Sequence, residues 1–200
     1  MKMIVIGATG TIGSEVATQL AGRNHEVIRA SRHGEVKVDI DDAATIRGMF
    51  EKIADADAVV CCAGNAAFKP FADLTDADYE LGLRSKLMGQ VALARIAKAH
   101  LRDRGSITLT AGILATQPMA GSASISLVNA GVEGFTRAAA LEMPRGIRIN
   151  VVSPPWVAET LAQLGMHADV SLPAAEVAKA YVAAVEGSQQ GAILHPGQRG

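Results

Sequence analysis

The chain has 200 residues, 49% apolar and 20% charged, which is enough to bury the core of one domain over residues 1–200. A net charge of −1 gives no field that would draw nucleic acid or an anionic membrane, so neither is expected as a partner. The opening residues lack a basic stretch followed by an apolar segment, and no apolar run reaches the roughly 20 residues that span a bilayer, so a cytoplasmic address is expected.

Met3-Ile4-Val5-Ile6 reads as a first strand, and Gly7-Ala8-Thr9-Gly10-Thr11-Ile12-Gly13 follows it directly, leading into a helix from about Thr11 to Ala21. Glycines at a spacing of three between a strand and a helix let backbone N–H groups approach a pyrophosphate, and the helix N-terminus adds a favourable dipole. Glu26 to Ala30 is a second strand and Val36 to Val38 a short third; Asp41 or Asp42 caps a helix running to about Ile53. Ala58 to Cys62 is an apolar fourth strand, Leu81 to Leu101 a long helix and Ser106 to Thr110 a fifth strand. Ser122 to Met143 is a second long helix, ended by Pro144 and Gly146. Ile147 to Val152, a helix over Ala174 to Glu186 and a strand over Ala192 to Leu194 complete the pattern.

Strands alternating with helices, the strands largely apolar and read as buried, specify an α/β domain with a parallel sheet covered on both sides. The expectation is a single doubly wound Rossmann domain with a seven-stranded parallel sheet flanked by helices. Ligands of such sheets bind at the carboxyl ends of the strands beside the switch point, where Gly7 to Gly13, Cys61 to Gly64, Thr110 to Gly112 and Ser153 to Val157 fall.

Cys61 and Cys62 are the only cysteines. Adjacent strand residues point to opposite faces, so they read as two reduced, mainly structural side chains. His25, His33, His100, His167 and His195 show no ligand spacing, and no metal is expected. Met88, Met119, Met143 and Met166 read as core or cleft packing.

Gly7 to Gly13, Asp39-Ile40-Asp41, Cys61-Cys62-Ala63-Gly64, Gly105-Ser106-Ile107, Gly131 to Ala140 and Gly146 to Pro154 together resemble the short-chain dehydrogenase/reductase family over nearly the whole chain. The resemblance implies that Asp39 and Ile40 lie against an adenine, and that Pro154 and Val157 belong to a turn meeting a nicotinamide. It makes Cys62, Ala63 and Gly64 the remnant of the family's Asn-Asn-Ala-Gly turn. It also implies a homodimer or homotetramer through the helices beginning at Leu81 and Ser122. The segment Glu159 to Leu172 is short for the family's substrate-covering region, which implies a shallow or open pocket.

Cofactor choice follows from charge. An acidic residue after the second strand would bind the ribose of NAD, whereas this chain carries Ser31-Arg32-His33. A hydroxyl and a guanidinium suit a phosphate monoester, so NADP is expected, with NAD less favoured. The cofactor-binding set is then Gly7, Thr9, Gly10, Thr11, Ile12, Gly13, Ser31, Arg32, Asp39, Ile40, Cys62, Ala63, Gly64, Asn129, Pro154 and Val157.

Aligned with the family's Tyr-x-x-x-Lys pair, the tyrosine position falls on Ile125 and the lysine position on Asn129. Counting back to the catalytic serine lands on Gly112, and the family's helix asparagine corresponds to Lys86, three residues before Gly89. Lys86 is the strongest candidate for a replacement acid, because a lysine desolvated in a cleft has a depressed pKa. Thr110 and Ser126 are candidates to hydrogen-bond a ligand, and Asn129, one helical turn after Ile125, to bind a ribose hydroxyl. Two functions are expected: an atypical NADP-dependent oxidoreductase acting on a small carbonyl or alcohol, or a non-catalytic NADP-binding sensor or regulatory protein.

Overall fold

The strands Lys2–Ile6, Ala58–Cys61, Ser106–Thr110 and Arg148–Val152 are buried on both faces, and the chain achieves this by returning to one sheet from helices laid on either side. The computed structural model describes residues 1–168 and 170–197. Its strands are β1 (Lys2–Ile6), β2 (Glu26–Ser31), β3 (Val36–Lys37), β4 (Ala58–Cys61), β5 (Ser106–Thr110), β6 (Arg148–Val152), β7 (Trp156–Val157), β8 (Ser171–Leu172) and β9 (Ile193–Leu194). Seven of them form a parallel sheet in the order β3-β2-β1-β4-β5-β6-β9, the expected doubly wound architecture. The helices are α1 (Thr11–Ala21), α2 (Ala43–Lys52), α3 (Asp76–Gly82), α4 (Gly89–His100), α5 (Ala123–Ala140), α6 (Ala158–Leu164) and α7 (Ala174–Glu186).

Side-chain alternation along β1 divides the core. Ile4 and Ile6 pack with Ile46, Phe50, Leu93 and Val132 of α2, α4 and α5 on one face. Met3 and Val5 pack with Val16, Leu20, Val177 and Tyr181 of α1 and α7 on the other. Cys61 lies in the first cluster and Cys62 packs against the second, as adjacent residues leaving a strand must. Met88 and Met119, expected in the core or cleft, are instead 50% and 47% exposed.

The segment expected as one helix from Leu81 to Leu101 begins earlier and changes pitch. Thr75 caps α3 through a reciprocal pair in which its N–H donates to Asp78 Oδ2 at 3.0 Å and its Oγ1 accepts from Asp78 N at 3.4 Å. Between α3 and α4, Leu83–Met88 winds as a π-helix, in which the Gly89 N–H reaches back five residues to the Arg84 carbonyl. Apolar periodicity does not resolve one residue of extra winding, so the sequence shows a continuous helix here. α5 stops at Ala140 rather than Met143, because Met143 precedes Pro144 and is driven to an extended ψ of 125°. Asp42, not Asp41, caps α2, its Oδ1 accepting from Ala44 N at 2.8 Å. β7 and β8, each two residues long, pair as a separate parallel ribbon without a prior signal in the sequence.

Candidate functional site

The turn after β1 is shaped by contacts that exclude side chains. Gly7 has φ +79°, and a Cβ there would lie 2.9 Å from the Cys62 carbonyl carbon. Gly13 faces back on the same turn, where a Cβ would come 2.1 Å from the Gly7 oxygen. Gly10 donates its N–H to that oxygen at 3.0 Å and forms the N-cap of α1 with no side-chain cap. The first N–H groups of α1 are thus open to an anion.

Two cavities meet at this end of the sheet and share Cys62, Ala63 and Gly64. The first, about 280 Å³, is lined by Gly7, Thr9 and Gly10 from the glycine turn, Ser31, Arg32 and His33 after β2, and Asp39, Ile40 and Asp41 after β3. The Ser31 hydroxyl is buried there without a hydrogen-bond partner. Asn65 and Ser85 close this cavity, Ser85 Oγ accepting the Asn65 N–H at 3.1 Å.

The second cavity, about 300 Å³, is mostly apolar, with Ile12, Ile113, Leu114, Ile125, Trp156 and Val157 in its wall. Lys86, carried by the π-helical turn, lies half-buried in this wall and donates from Nζ to the Ala111 carbonyl at 3.1 Å. Burial pushes its ammonium down to about 8, against the opposing influence of Cys61. Asn129 of α5 is 1% exposed; its Nδ2 donates weakly to the Gly112 carbonyl at 3.4 Å, and its Oδ1 has no partner. The two side chains therefore arrive from opposite helices on consecutive carbonyls at the end of β5.

Behind this wall is a fully paired polar group. Thr110 Oγ1 donates to the Cys61 carbonyl at 2.6 Å, so its 2.7 Å contact to the Tyr181 hydroxyl is one in which Tyr181 donates. Tyr181 is completely buried, and burial raises the pKa of its phenol well above the ordinary value. Burial likewise pushes the Cys61 thiol up to about 12 and raises that of Cys62. Beyond the last register pair of β4 with β5, Gln90 takes over the strand edge: its Oε1 accepts from Thr110 N at 2.7 Å and its Nε2 donates to Thr110 O at 2.8 Å.

Most of the sequence-based site is thus assembled in one cleft. Gly7, Thr9, Gly10, Ser31, Arg32, Asp39 and Ile40 line the first cavity; Ile12, Lys86, Thr110, Asn129, Pro154 and Val157 line the second. Three residues do not line either cavity. Ser126 turns its hydroxyl to Ser122 Oγ at 3.0 Å, Gly13 is a packing residue against Gly7, and Thr11 opens α1 beside the turn. Thr110 lines the cavity but directs its hydroxyl to Cys61 and Tyr181. Trp156 also lines the second cavity and meets Phe68 edge-on, with ring centroids 5.6 Å apart. Tyr181 could have been singled out from the sequence, since a tyrosine on an apolar helix face needs a partner for its hydroxyl. Nothing in the sequence marked Gln90, Asn65 or Ser85.

No described helix is long and apolar enough to cross a membrane, and the described residues hold no cluster of three metal-ligating side chains. The chain is similar to a crystal structure of the Listeria innocua protein lin1944, with a TM-score of 0.93 and 40% identity over 98% of each chain. It is also similar to a small-chain dehydrogenase in complex with NADPH, with a TM-score of 0.86 and 28% identity over 98% of this chain and 95% of that one. Among curated proteins it is 27% identical over 194 residues to the acetoacetyl-CoA reductase of Allochromatium vinosum, covering 84% of this chain and 78% of that protein. The family model described as enoyl-(acyl carrier protein) reductase matches residues 7–185. On that match and these relatives, the chain belongs to the short-chain dehydrogenase/reductase family.

Proposed function

We propose that the chain binds NADP(H) along the joined cavities and reduces a small, largely apolar carbonyl compound, with Lys86 as the proton donor. The observation that carries this reading is Lys86 itself, which lines an apolar cavity at the end of β5 and whose ammonium makes, among the described residues, one hydrogen bond, to the Ala111 carbonyl.

The residues fit the dinucleotide. The glycine turn and uncapped α1 N-terminus would hold the pyrophosphate, and Ser31 with Arg32 would hold the 2′-phosphate, giving the orphaned Ser31 hydroxyl a partner. Asp39 and Ile40 would flank the adenine. The orphaned Asn129 Oδ1 would accept from a ribose hydroxyl in the second cavity. NADPH in a similar small-chain dehydrogenase supports the choice of nucleotide.

When bound, the reduced dinucleotide would supply the hydride that turns a carbonyl carbon into an alcohol carbon. Lys86 donates a proton to the carbonyl oxygen, becomes a neutral amine and recovers its proton from water. By the resemblance of the sequence, Ile125 and Asn129 correspond to the family's tyrosine and lysine and Lys86 to its asparagine, so the lysine of the site would come from the opposite helix. The cation of the site then comes from the α4 side instead of from α5. Ile113, Leu114, Ile125 and Trp156 favour an apolar substrate, and the cavity volume of about 300 Å³ a small one.

The test is NADPH oxidation with a panel of small apolar ketones and aldehydes, comparing the parent with Lys86→Met. Loss of a positioned acid is expected to lower the rate by roughly 10²-fold or more. Unchanged turnover in the variant refutes the role of Lys86. Tight NADPH binding without turnover on any carbonyl supports instead a non-catalytic NADP-binding regulator, a reading favoured by the apolar Ile125 at the family's proton-donor position.

A further inference from the structure

Lys86 is the one charged side chain among the described residues lining the second cavity, and no described carboxylate pairs with it. The ionisable groups around it are neutral or engaged elsewhere. Cys61 and Cys62 at the end of β4 are held as thiols by burial, and Tyr181 of α7 reaches Thr110. α5 presents the neutral Ile125 and Asn129, while its Glu133 accepts from Ser153 Oγ at 2.8 Å and lies 4.0 Å from Arg137. On the π-helical turn itself, Arg84 lies 3.7 Å from Asp41, which lines the other cavity together with Asp39, Arg32 and His33.

An oxidised nicotinamide ring carries a positive charge, whereas a reduced ring carries none. A fixed ammonium in the same largely apolar wall opposes one form and leaves the other unaffected. We propose that Lys86 makes the site selective for the reduced dinucleotide: charged Lys86 repels the oxidised ring, and binding of the oxidised form drives a proton off Lys86 into solvent. This rests on the nicotinamide half occupying the second cavity, as in the function proposed above. Because binding and protonation are linked, the two effects are one coupling seen from both sides. The same coupling suits reduction: giving up the Lys86 proton to a substrate oxygen removes the charge that would face an oxidised ring.

The test is calorimetric binding of NADPH, NADP⁺ and 2′-phospho-ADP-ribose, which lacks the ring, at about pH 6.5 and about pH 9.5, either side of the Lys86 value of about 8. In the parent, the preference for NADPH over NADP⁺ is expected to be roughly 10-fold larger at the lower pH. Binding of NADP⁺ at about pH 7.5, between the free and the ligand-shifted Lys86 values, should release protons, measured as a dependence of the heat on buffer ionisation. In Lys86→Met the preference should not change with pH; in Lys86→Arg it should persist at the higher pH, because a guanidinium stays charged. 2′-Phospho-ADP-ribose should bind alike in all three proteins. Retained binding with the same NADPH to NADP⁺ ratio in parent and Lys86→Met at the lower pH overturns this proposal alone. Failure of all three ligands to bind the parent overturns the dinucleotide reading and this proposal with it.

Discussion

Gln90 closes both hydrogen bonds of its carboxamide onto the backbone of Thr110, accepting at 2.7 Å and donating at 2.8 Å, while its second amide hydrogen reaches the Lys86 carbonyl at 2.9 Å. One fully buried side chain thus completes the edge of β5 and ties it to the turn that carries Lys86. Replacing Gln90 by Leu leaves the Thr110 N–H and carbonyl buried without partners. The expected loss is roughly 2–6 kcal/mol of stability, at about 1–3 kcal/mol for each of the two unsatisfied groups, measured by urea unfolding. A loss under about 0.5 kcal/mol would show that water or a strand shift satisfies Thr110 instead.

The glycines of the turn separate folding from binding. Gly13→Ala puts a methyl group against the Gly7 oxygen, where the available distance is 2.1 Å, and should cost roughly 1–3 kcal/mol or more in stability. Gly10→Ala meets that oxygen at an ordinary 3.4 Å and has φ −85°, so its melting temperature should stay close to the parent's. Thermal melts of the two variants side by side provide the comparison, and equal destabilisation would contradict this account of the turn.

The buried cation also affects stability. The pKa of Lys86 falls from an ordinary 10.5 in the unfolded chain to about 8 in the folded one, so between these values the unfolded chain binds more protons. Stability therefore rises as pH increases from about 8 toward 10.5, and below that window the charged lysine carries its full penalty. Relative to Lys86→Met, the parent should gain stability across this interval in urea titrations. A constant difference between the two proteins would show that the ammonium remains hydrated in the folded state.

The adjacent thiols should be inert. Burial holds Cys61 at about 12 and raises Cys62 as well, so at pH 8 almost no thiolate is present. Iodoacetamide at that pH should leave both unlabelled in the native protein and label both after denaturation, as counted by intact mass. Rapid native labelling would place at least one thiol in an open, charge-stabilised setting.

The sheet was legible because β1 and β4 are apolar on both faces and β5 and β6 on one, in alternation with helices, and the first cavity because Gly7, Gly10, Ser31 and Asp39 lie at strand ends that a parallel sheet must gather on one edge. Lys86 was legible as a candidate from its interval to Gly89, but its delivery into the cavity depends on a π-helical turn to which apolar periodicity is blind. Ser126 was misplaced for a related reason. Sharing a helix with Ile125 and Asn129 says little about direction, and its hydroxyl is satisfied by Ser122 one turn back. Gln90 left no signal because its partner Thr110 lies 20 residues away, and the apolar helix face of Tyr181 signals the need for a partner but not which residue, 71 positions away, supplies it.

The wide turn at Leu83–Met88 makes the charge of the second cavity depend on residue count as well as residue identity. Removing one residue between Lys86 and Gly89 would let the chain from Asp76 to His100 wind at α-helical pitch throughout, leaving the flanking helices in phase and turning Lys86 around the axis by up to about 100° relative to Gln90. With Gln90 and Leu93 kept in their buried seats, Lys86 would swing out of the wall, and among the described residues the cavity would be lined by uncharged groups alone. A deletion at this point separates a cavity that holds one ammonium from one without charge, and the rest of the sheet need not move.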